Sequence, residues 1–313
     1  MEPTAVNNFD ELVETAISLL PKTVAVVYPN NAETFSAIIE ASMIMRTKFL
    51  LFGEKGAMGQ SLASVPEEAM ERIETIPCDS VLDALSKSIA AVANGEAQIL
   101  MKGGVDTATM MRAVLSDGSR LKTGRLLSDI FVLEYPKRHD NQLLMITDGG
   151  MTLSPDLKSK VELIRNAVQV AHALGNTMPR VAVLSATEFV IPDLQSTIDA
   201  AALSKMNERG QITGCIVDGP LALDNALSIE AAEEKGIMSP VAGRADILVA
   251  ANIESANSLA KSTTFFADLR LAHVIVGGKV PILIPSRADK GDAKLLSIAL
   301  GTVVLEHAGT FRK

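Results

Sequence analysis

The stretch Leu143–Leu184, LLMITDGGMTLSPDLKSKVELIRNAVQVAHALGNTMPRVAVL, decides the fold class. It opens on a short apolar run, Leu143–Thr147, that reads as a buried strand. Ser154-Pro155-Asp156 then supplies an N-cap, a proline at the first helical position and an acid near the positive end of the helix dipole. Leu157, Val161, Ile164, Val168 and Ala171 recur at three- and four-residue steps, so the spacing predicts a helix over Asp156–Leu174 with one apolar stripe facing a sheet. Gly175 stands where a left-handed residue ends such a helix. A second apolar run, Arg180–Leu184, follows as a strand.

The same alternation runs outward on both sides. Upstream, strands are expected at Thr23–Tyr28, Phe49–Phe52, Ile73–Pro77, Gln98–Met101 and Asp129–Glu134, with helices at Ala32–Arg46, Ser80–Ala93 and Asp106–Leu115. Downstream come helix Leu194–Glu208, strand Ile212–Val217, helix Ala222–Glu234 and strand Ile247–Val249. Helix Ile253–Phe266, strand Val274–Val276, the run Pro281–Ile284 and helix Ala293–Leu300 complete the pattern. Strands alternating with helices over short connectors indicate parallel sheets covered by helices, an α/β protein. The polar stretch Tyr135–Gln142 (YPKRHDNQ) is the one plausible domain boundary, readable as a simple loop or as a crossing between domains.

Composition narrows the function classes. The 313 residues hold 29 Lys+Arg against 37 Asp+Glu, a net charge of −8, which argues against a general nucleic-acid or anionic-membrane binder. Hydrophobic residues make up 48% but aromatics only 4%, with no Trp, so the core is aliphatic. Cys78 and Cys215 lie far apart and outside any CxxC pattern, against both a disulfide framework and a structural zinc site. Met1-Glu2-Pro3-Thr4 onward lacks a secretory signal, and no uncharged apolar run is long enough to span a bilayer. The expectation is a soluble, cytoplasmic protein.

In parallel α/β sheets ligands gather beyond the carboxyl ends of strands, and four such ends are unusual here. Lys102-Gly103-Gly104 leads into Asp106-Thr107, where glycines, free N–H groups at a helix start and a lysine would suit a phosphate; a glycine turn with a solvated lysine is the plain alternative. Thr147-Asp148-Gly149-Gly150 offers an aspartate either to a substrate or to its own loop. Asp218-Gly219-Pro220, with Asp224-Asn225 after it, places two acids at a strand end and a helix start, to line a cleft or to cap the helix. Pro285-Ser286-Arg287-Ala288-Asp289, with Asp292 beyond, combines a hydroxyl, a guanidinium and carboxylates suited to an anion and an acyl group.

Walker A, HExxH and G-x-S-x-G motifs are absent. Gly53, Gly56 and Gly59 do not fit the dinucleotide fingerprint and read as a loop. His139, His172, His273 and His307 are scattered without ligand spacing, and Cys215 reads as a buried thiol in mid-strand.

At these same strand ends the chain resembles the phosphate acetyl/butyryltransferase family, and its butyryl-type members most. The resemblance rests on DAAALSKMNERGQ (Asp199–Gln211), VDGPLALDNALS (Val217–Ser228) and GIMSPVAGRADIL (Gly236–Leu248), then NIESANSLAKS (Asn252–Ser262) and SRADKGDAKLLSIA (Ser286–Ala299). It implies two α/β/α domains with a cleft between them, as in isocitrate and isopropylmalate dehydrogenases. Domain I would be residues 1–136, with 279–313 returning to it, and domain II residues 137–278. It also implies reversible transfer of a butyryl or branched short acyl group between coenzyme A and inorganic phosphate. Coenzyme A is then a substrate, with no cofactor, metal or nicotinamide required. A homodimer or higher homo-oligomer and an acyl kinase as metabolic partner are further implications.

By this resemblance Ser286 would hydrogen-bond the reacting carbonyl or thiol and Arg287 would bind the phosphate. The family's aspartate seven residues beyond the serine falls on Ala293 here, so Asp292 is the expected base and Asp289 the reserve. Lys102, Gly103, Thr107, Asp148, Gly149, Asp218, Gly219 and Asp224 are the expected substrate-binding residues. Acetyl-specific members carry an arginine near the position of Phe265; the aromatic here points to butyryl or branched chains. The alternatives are acetyl as main substrate and a non-catalytic acyl-CoA or phosphate binder of the same fold. A metal- and nicotinamide-dependent dehydrogenase, or an acyl-carrier-protein phosphate acyltransferase, would need features that the sequence does not present.

Overall fold

The computed structural model describes residues 5–138, 142–285 and 291–307. In chain order the elements are α1 (Phe9–Ser18), β1 (Thr23–Val27), α2 (Ala32–Ile44), β2 (Lys48–Gly53), α3 (Lys55–Ala63), α4 (Glu67–Met70), β3 (Ile73–Pro77), α5 (Val81–Asn94), β4 (Ile99–Lys102) and α6 (Thr107–Val114). Then come β5 (Ser128–Glu134), β6 (Leu143–Thr147), α7 (Leu157–Ala173), β7 (Arg180–Leu184), α8 (Gln195–Glu208), β8 (Ile216–Leu221), α9 (Leu223–Leu227), α10 (Ile229–Glu234), β9 (Ile247–Val249) and α11 (Ile253–Phe265). β10 (Leu271–Val276), β11 (Ile282–Leu283) and α12 (Gly291–His307) follow.

These elements form two compact units: a middle unit of Leu126–Leu271 with the residues up to Asn8, and a flanking unit of Phe9–Arg125 with the residues from Ala272 on. The chain enters the flanking unit at 8/9, crosses to the middle unit at 125/126 and returns at 271/272, where the sequence expectation was a crossing at 136/137 and a return at 278/279. Pairing explains the earlier crossing. β5 runs antiparallel to β6, with Phe131 opposite Ile146 and Glu134 opposite Leu143, so the two are a hairpin of the middle unit. Tyr135 and Gln142 continue that pairing beyond the strands, the Tyr135 N–H donating to Gln142 O at 2.7 Å. Arg138 Nη2 pairs with the buried Asp246 at 2.7 Å, and Arg180 Nε reaches the other carboxylate oxygen at 3.2 Å.

In the flanking unit the strand order is β3-β2-β1-β4-β11-β10, and in the middle unit β5-β6-β9-β7-β8. Pairings from β3 to β11 and from β6 to β8 are parallel, while β10–β11 and β5–β6 are antiparallel. The central strands are apolar on both faces, as buried parallel strands must be: Val24, Ala25, Val26 and Val27 are fully buried. α12 is apolar nearly all round, with Leu296, Ile298, Ala299, Leu300 and Val303 buried, and it packs against α1, α2 and β4. In the middle unit Phe131, Ile146, Leu248, Ala256 and Ala260 form one core.

Several local expectations change. The N-cap of α7 is Asp156, whose Oδ1 accepts the Ser159 N–H at 2.7 Å, two residues later than the sequence placed it. Lys55–Ala63 is helical although Gly56 and Gly59 disfavour it, because Met58 inserts into the core at 1% exposure. The strand expected at Ile212–Val217 starts at Ile216, since Gly214 (φ 75°) turns the chain and Asn207 Nδ2 holds the Ile212 and Cys215 carbonyls. Cys215 thus precedes the strand; it remains buried, and burial pushes its thiol up to about 11. Helix Ala222–Glu234 is split at Ser228, which is extended (φ −116°, ψ 124°) and caps α10 through the Ala231 N–H.

Candidate active site

β1, β4 and β11 are parallel neighbours, so their carboxyl ends lie side by side: Tyr28 after β1, Lys102 closing β4, and Ile284-Pro285 after β11. Ser286, Arg287 and the reserve base Asp289 continue from that last exit and lie outside the described residues. Asp292, the expected base, is exposed in the first turn of α12, which starts from the same exit. The chain therefore brings Lys102 and the approach to Ser286 to one edge of the flanking unit.

Lys102 is buried, 6% exposed, at the last position of β4 and in register with Val27. Gly103 and Gly104 do permit a close approach, but the backbone they admit is the chain's own. The Gly103 N–H donates to Val27 O at 2.9 Å and that of Gly104 to Tyr28 O at 2.7 Å, continuing the β1–β4 ladder past the strand ends. A Cβ on Gly103 would stand 2.5 Å from Val27 O. Gly103 thus has no main-chain donor left for an anion. Asp106 caps α6 by accepting the Thr109 N–H at 2.8 Å, and Thr107 is the first helical residue, half-buried.

In the middle unit β6 and β9 present the next pair of carboxyl ends, Thr147 opposite Val249. Asp148 is 3% exposed and gathers four main-chain donors: Oδ1 accepts from Asp129, Gly150 and Met151, each at 3.1 Å, and Oδ2 from Thr152 at 2.9 Å. Burial and the adjacent Asp129 carboxylate push its pKa up to about 6, while these N–H donors pull the other way. Asp148 fixes its own loop by these bonds. Gly149 joins that loop to α11: its carbonyl accepts Asn257 Nδ2 at 2.9 Å, and a Cβ there would meet the Phe131 ring at 2.7 Å.

The remaining acids lie apart from these exits in the chain. Asp218 was expected at a strand end; it is inside β8, opposite Ala182, because the strand runs on to Leu221. Its Oδ1 accepts the N–H of Gly219, whose missing side chain lets β8 lie against Val183 O, 2.7 Å from where a Cβ would be. Asp224 is an exposed residue of α9 paired with Lys235 at 3.0 Å, and that hydrogen bond holds its carboxyl below the usual range. Phe265 is 68% exposed at the last residue of α11. Gly149 packs on Asn257 of α11, and Phe265 lies eight residues further along that helix, about 12 Å at ~1.5 Å per residue.

Sequence reasoning passed over Tyr28 and Asn30. Tyr28 has φ 53°, in the left-handed region that bulky residues avoid, and desolvation together with the Glu54 carboxylate beyond β2 raises the pKa of its phenol. The side-chain amide of exposed Asn30 lies on Gly104, 2.4 Å from where a Cβ would be. No motif marks them, although the double glycine opposite was the available hint.

Among the described residues no helix is long and apolar enough to cross a membrane, and no group of three or more His, Cys, Asp or Glu is placed to hold a metal ion.

The phosphate acetyl/butaryl transferase family model matches residues 67–302. The chain is 40% identical to a phosphate butyryltransferase of Clostridium beijerinckii over 95% of this chain and 97% of that protein. It is 42% identical to a phosphate acetyltransferase of Thermotoga maritima, over 90% and 95% of the two chains. Among solved structures, a branched-chain phosphotransacylase from Enterococcus faecalis V583 superposes with a TM-score of 0.80 at 28% identity, covering 91% of this chain and 99% of that one.

Proposed function

Because the chain belongs to the phosphate acetyl/butaryl transferase family, we propose that it is the phosphate acyltransferase the sequence resembles, moving a butyryl or branched short acyl group reversibly between coenzyme A and inorganic phosphate. The observation that carries this reading is the near full-length likeness to relatives named for acyl transfer to phosphate, together with Lys102 placed beside the strand exit that leads to Ser286-Arg287.

The chemistry suits these residue types. A coenzyme A thiolate attacks the carbonyl of the acyl phosphate, and a thiol of pKa ~8.5 needs only modest help from a base at neutral pH. Asp292 takes that proton in this reading. Ser286 donates to the oxygen that gains charge, and Arg287 holds the leaving phosphate. Lys102 and the Thr107 end of α6 add positive potential for the phosphate. Asp148 and Gly149 act indirectly, by holding the loop beyond β6.

An acetyltransferase and a butyryltransferase are matched at nearly equal identity, so the assay must compare acyl chains. The test is thiol release from acetyl-, butyryl- and isobutyryl-CoA with and without phosphate. Phosphate-dependent release, greatest on four-carbon chains, is the expected outcome. Release from acetyl-CoA alone keeps the reaction and replaces the acyl group. No release from any thioester refutes the reading.

A further inference from the structure

The strand order of the flanking unit contains a switch point. β2 and β3 succeed β1 on one side, whereas β4 lies on the other. The crevice beyond the carboxyl ends of β1 and β4 is therefore where an α/β sheet of this order offers a ligand a place between diverging connections. Lys102 ends β4 on one side of it and Tyr28-Pro29-Asn30 follows β1 on the other. The geometry of that turn is specific. Tyr28 is held in the left-handed region by a bond at each end, its N–H to Phe52 O at 2.8 Å and its carbonyl from the Gly104 N–H at 2.7 Å. Backbone strain of this kind persists where the surroundings impose it, and it concentrates at functional sites. Here it folds the chain back so that the Asn30 amide rests on Gly104, in room that exists only because residue 104 has no side chain. The result is an exposed side-chain amide over Gly104, two residues beyond the buried Lys102, at the switch point.

We infer that Asn30 is a substrate-binding residue that donates its amide N–H to a phosphoryl oxyanion in the β1–β4 crevice, with Gly104 as the residue that makes room for it. The inference rests on the acyltransferase reading for the identity of the anion, which is either inorganic phosphate (or the acyl phosphate made from it) or a phosphate of coenzyme A.

Asn30→Asp keeps the shape of the side chain and replaces the donor with a negative charge. It is expected to raise KM by about tenfold or more, as losing a hydrogen bond to a charged group does, with Tm unchanged. A rise for phosphate alone assigns the oxyanion to phosphate, and a rise for butyryl-CoA alone assigns it to coenzyme A; both uphold the inference. Gly104→Ala should raise the same KM in the wild type by displacing the amide, yet add little in an Asn30→Ala background, since neighbours in contact are not additive. The inference is overturned by a KM for both substrates within twofold of wild type in Asn30→Asp, by equal effects of Gly104→Ala in the two backgrounds, or by a KM rise accompanied by a large fall in Tm. Should the wild type show no phosphate-dependent thiol release, the acyltransferase reading fails by itself. Calorimetric titration of phosphate and of coenzyme A into wild type and Asn30→Asp then decides Asn30: weaker binding in the variant upholds it, and equal or no binding in both overturns it.

Discussion

Asp148 shows how a single carboxylate trades solvation for order. Its folded-state pKa is raised from 3.8 to about 6, so its contribution favours the fold below about pH 4 and is lost as pH rises through about 6. Two units correspond to about 3 kcal/mol, set against four main-chain hydrogen bonds that keep the loop in place. Asp148→Asn removes the ionisation, so the stability of the variant relative to wild type, read from urea unfolding, should rise by up to about 3 kcal/mol between pH 4 and pH 7. A difference that stays flat with pH would show an ordinary carboxylate. Arg287 is the residue on which the proposed chemistry depends most. Arg287→Ala should lower turnover by about 10²–10³, the usual cost of removing an oxyanion-type donor; near-normal turnover in the thiol-release assay removes it from the mechanism. Asp148 was legible in the sequence as an aspartate at a strand exit, while Arg287, singled out through the SRADKGD run, lies outside the described residues. Asn30 was not legible, because what distinguishes it is the backbone of Tyr28 and the space over Gly104, neither of which has a spacing to read.

At the level of the element, boundaries followed capping chemistry and tertiary demand more than apolar pattern. α7 was anticipated almost in full, with its stripe buried and Gly175 left-handed at φ 84°. Its start lay two residues on, because Asp156 accepts the Ser159 N–H while Ser154 stays exposed. Asp156→Ala should therefore cost about 1 kcal/mol in chemical denaturation, and Ser154→Ala close to nothing; the reverse order would restore the earlier cap. The β8 segment was misplaced for a different reason. A proline and a glycine at Gly219-Pro220 look like a turn, yet an edge strand tolerates proline, and the glycine lets β8 lie close to Val183. The motif DGPLALDN looked like a strand end on composition and turned out to be a strand that continues to Leu221.

For the whole molecule, the α/β class was plain from alternation alone, whereas the point where the chain changes units depended on β5 pairing antiparallel with β6, which no local pattern announces. The middle unit is nearly continuous in sequence, but the flanking unit is completed only by β10, β11 and α12. A chain ending at Leu271 should accordingly keep Leu126–Leu271 resistant to limited proteolysis while Phe9–Arg125 is digested; equal protection of both would mean that the first segment folds without α12. The same discontinuity has a bearing on biosynthesis. On the ribosome β1 to β4 emerge early, but β11, which pairs with Leu100 and Met101 of β4, is made only after the entire middle unit. At ~5–20 residues per second the wait is roughly 10–40 s. Throughout that interval β4 offers an apolar, unpaired edge, the kind of surface that other nascent chains can add to. The unit begun first is finished last, which makes its half-built sheet a client for chaperones and the middle unit the part of the protein that can fold as it is translated.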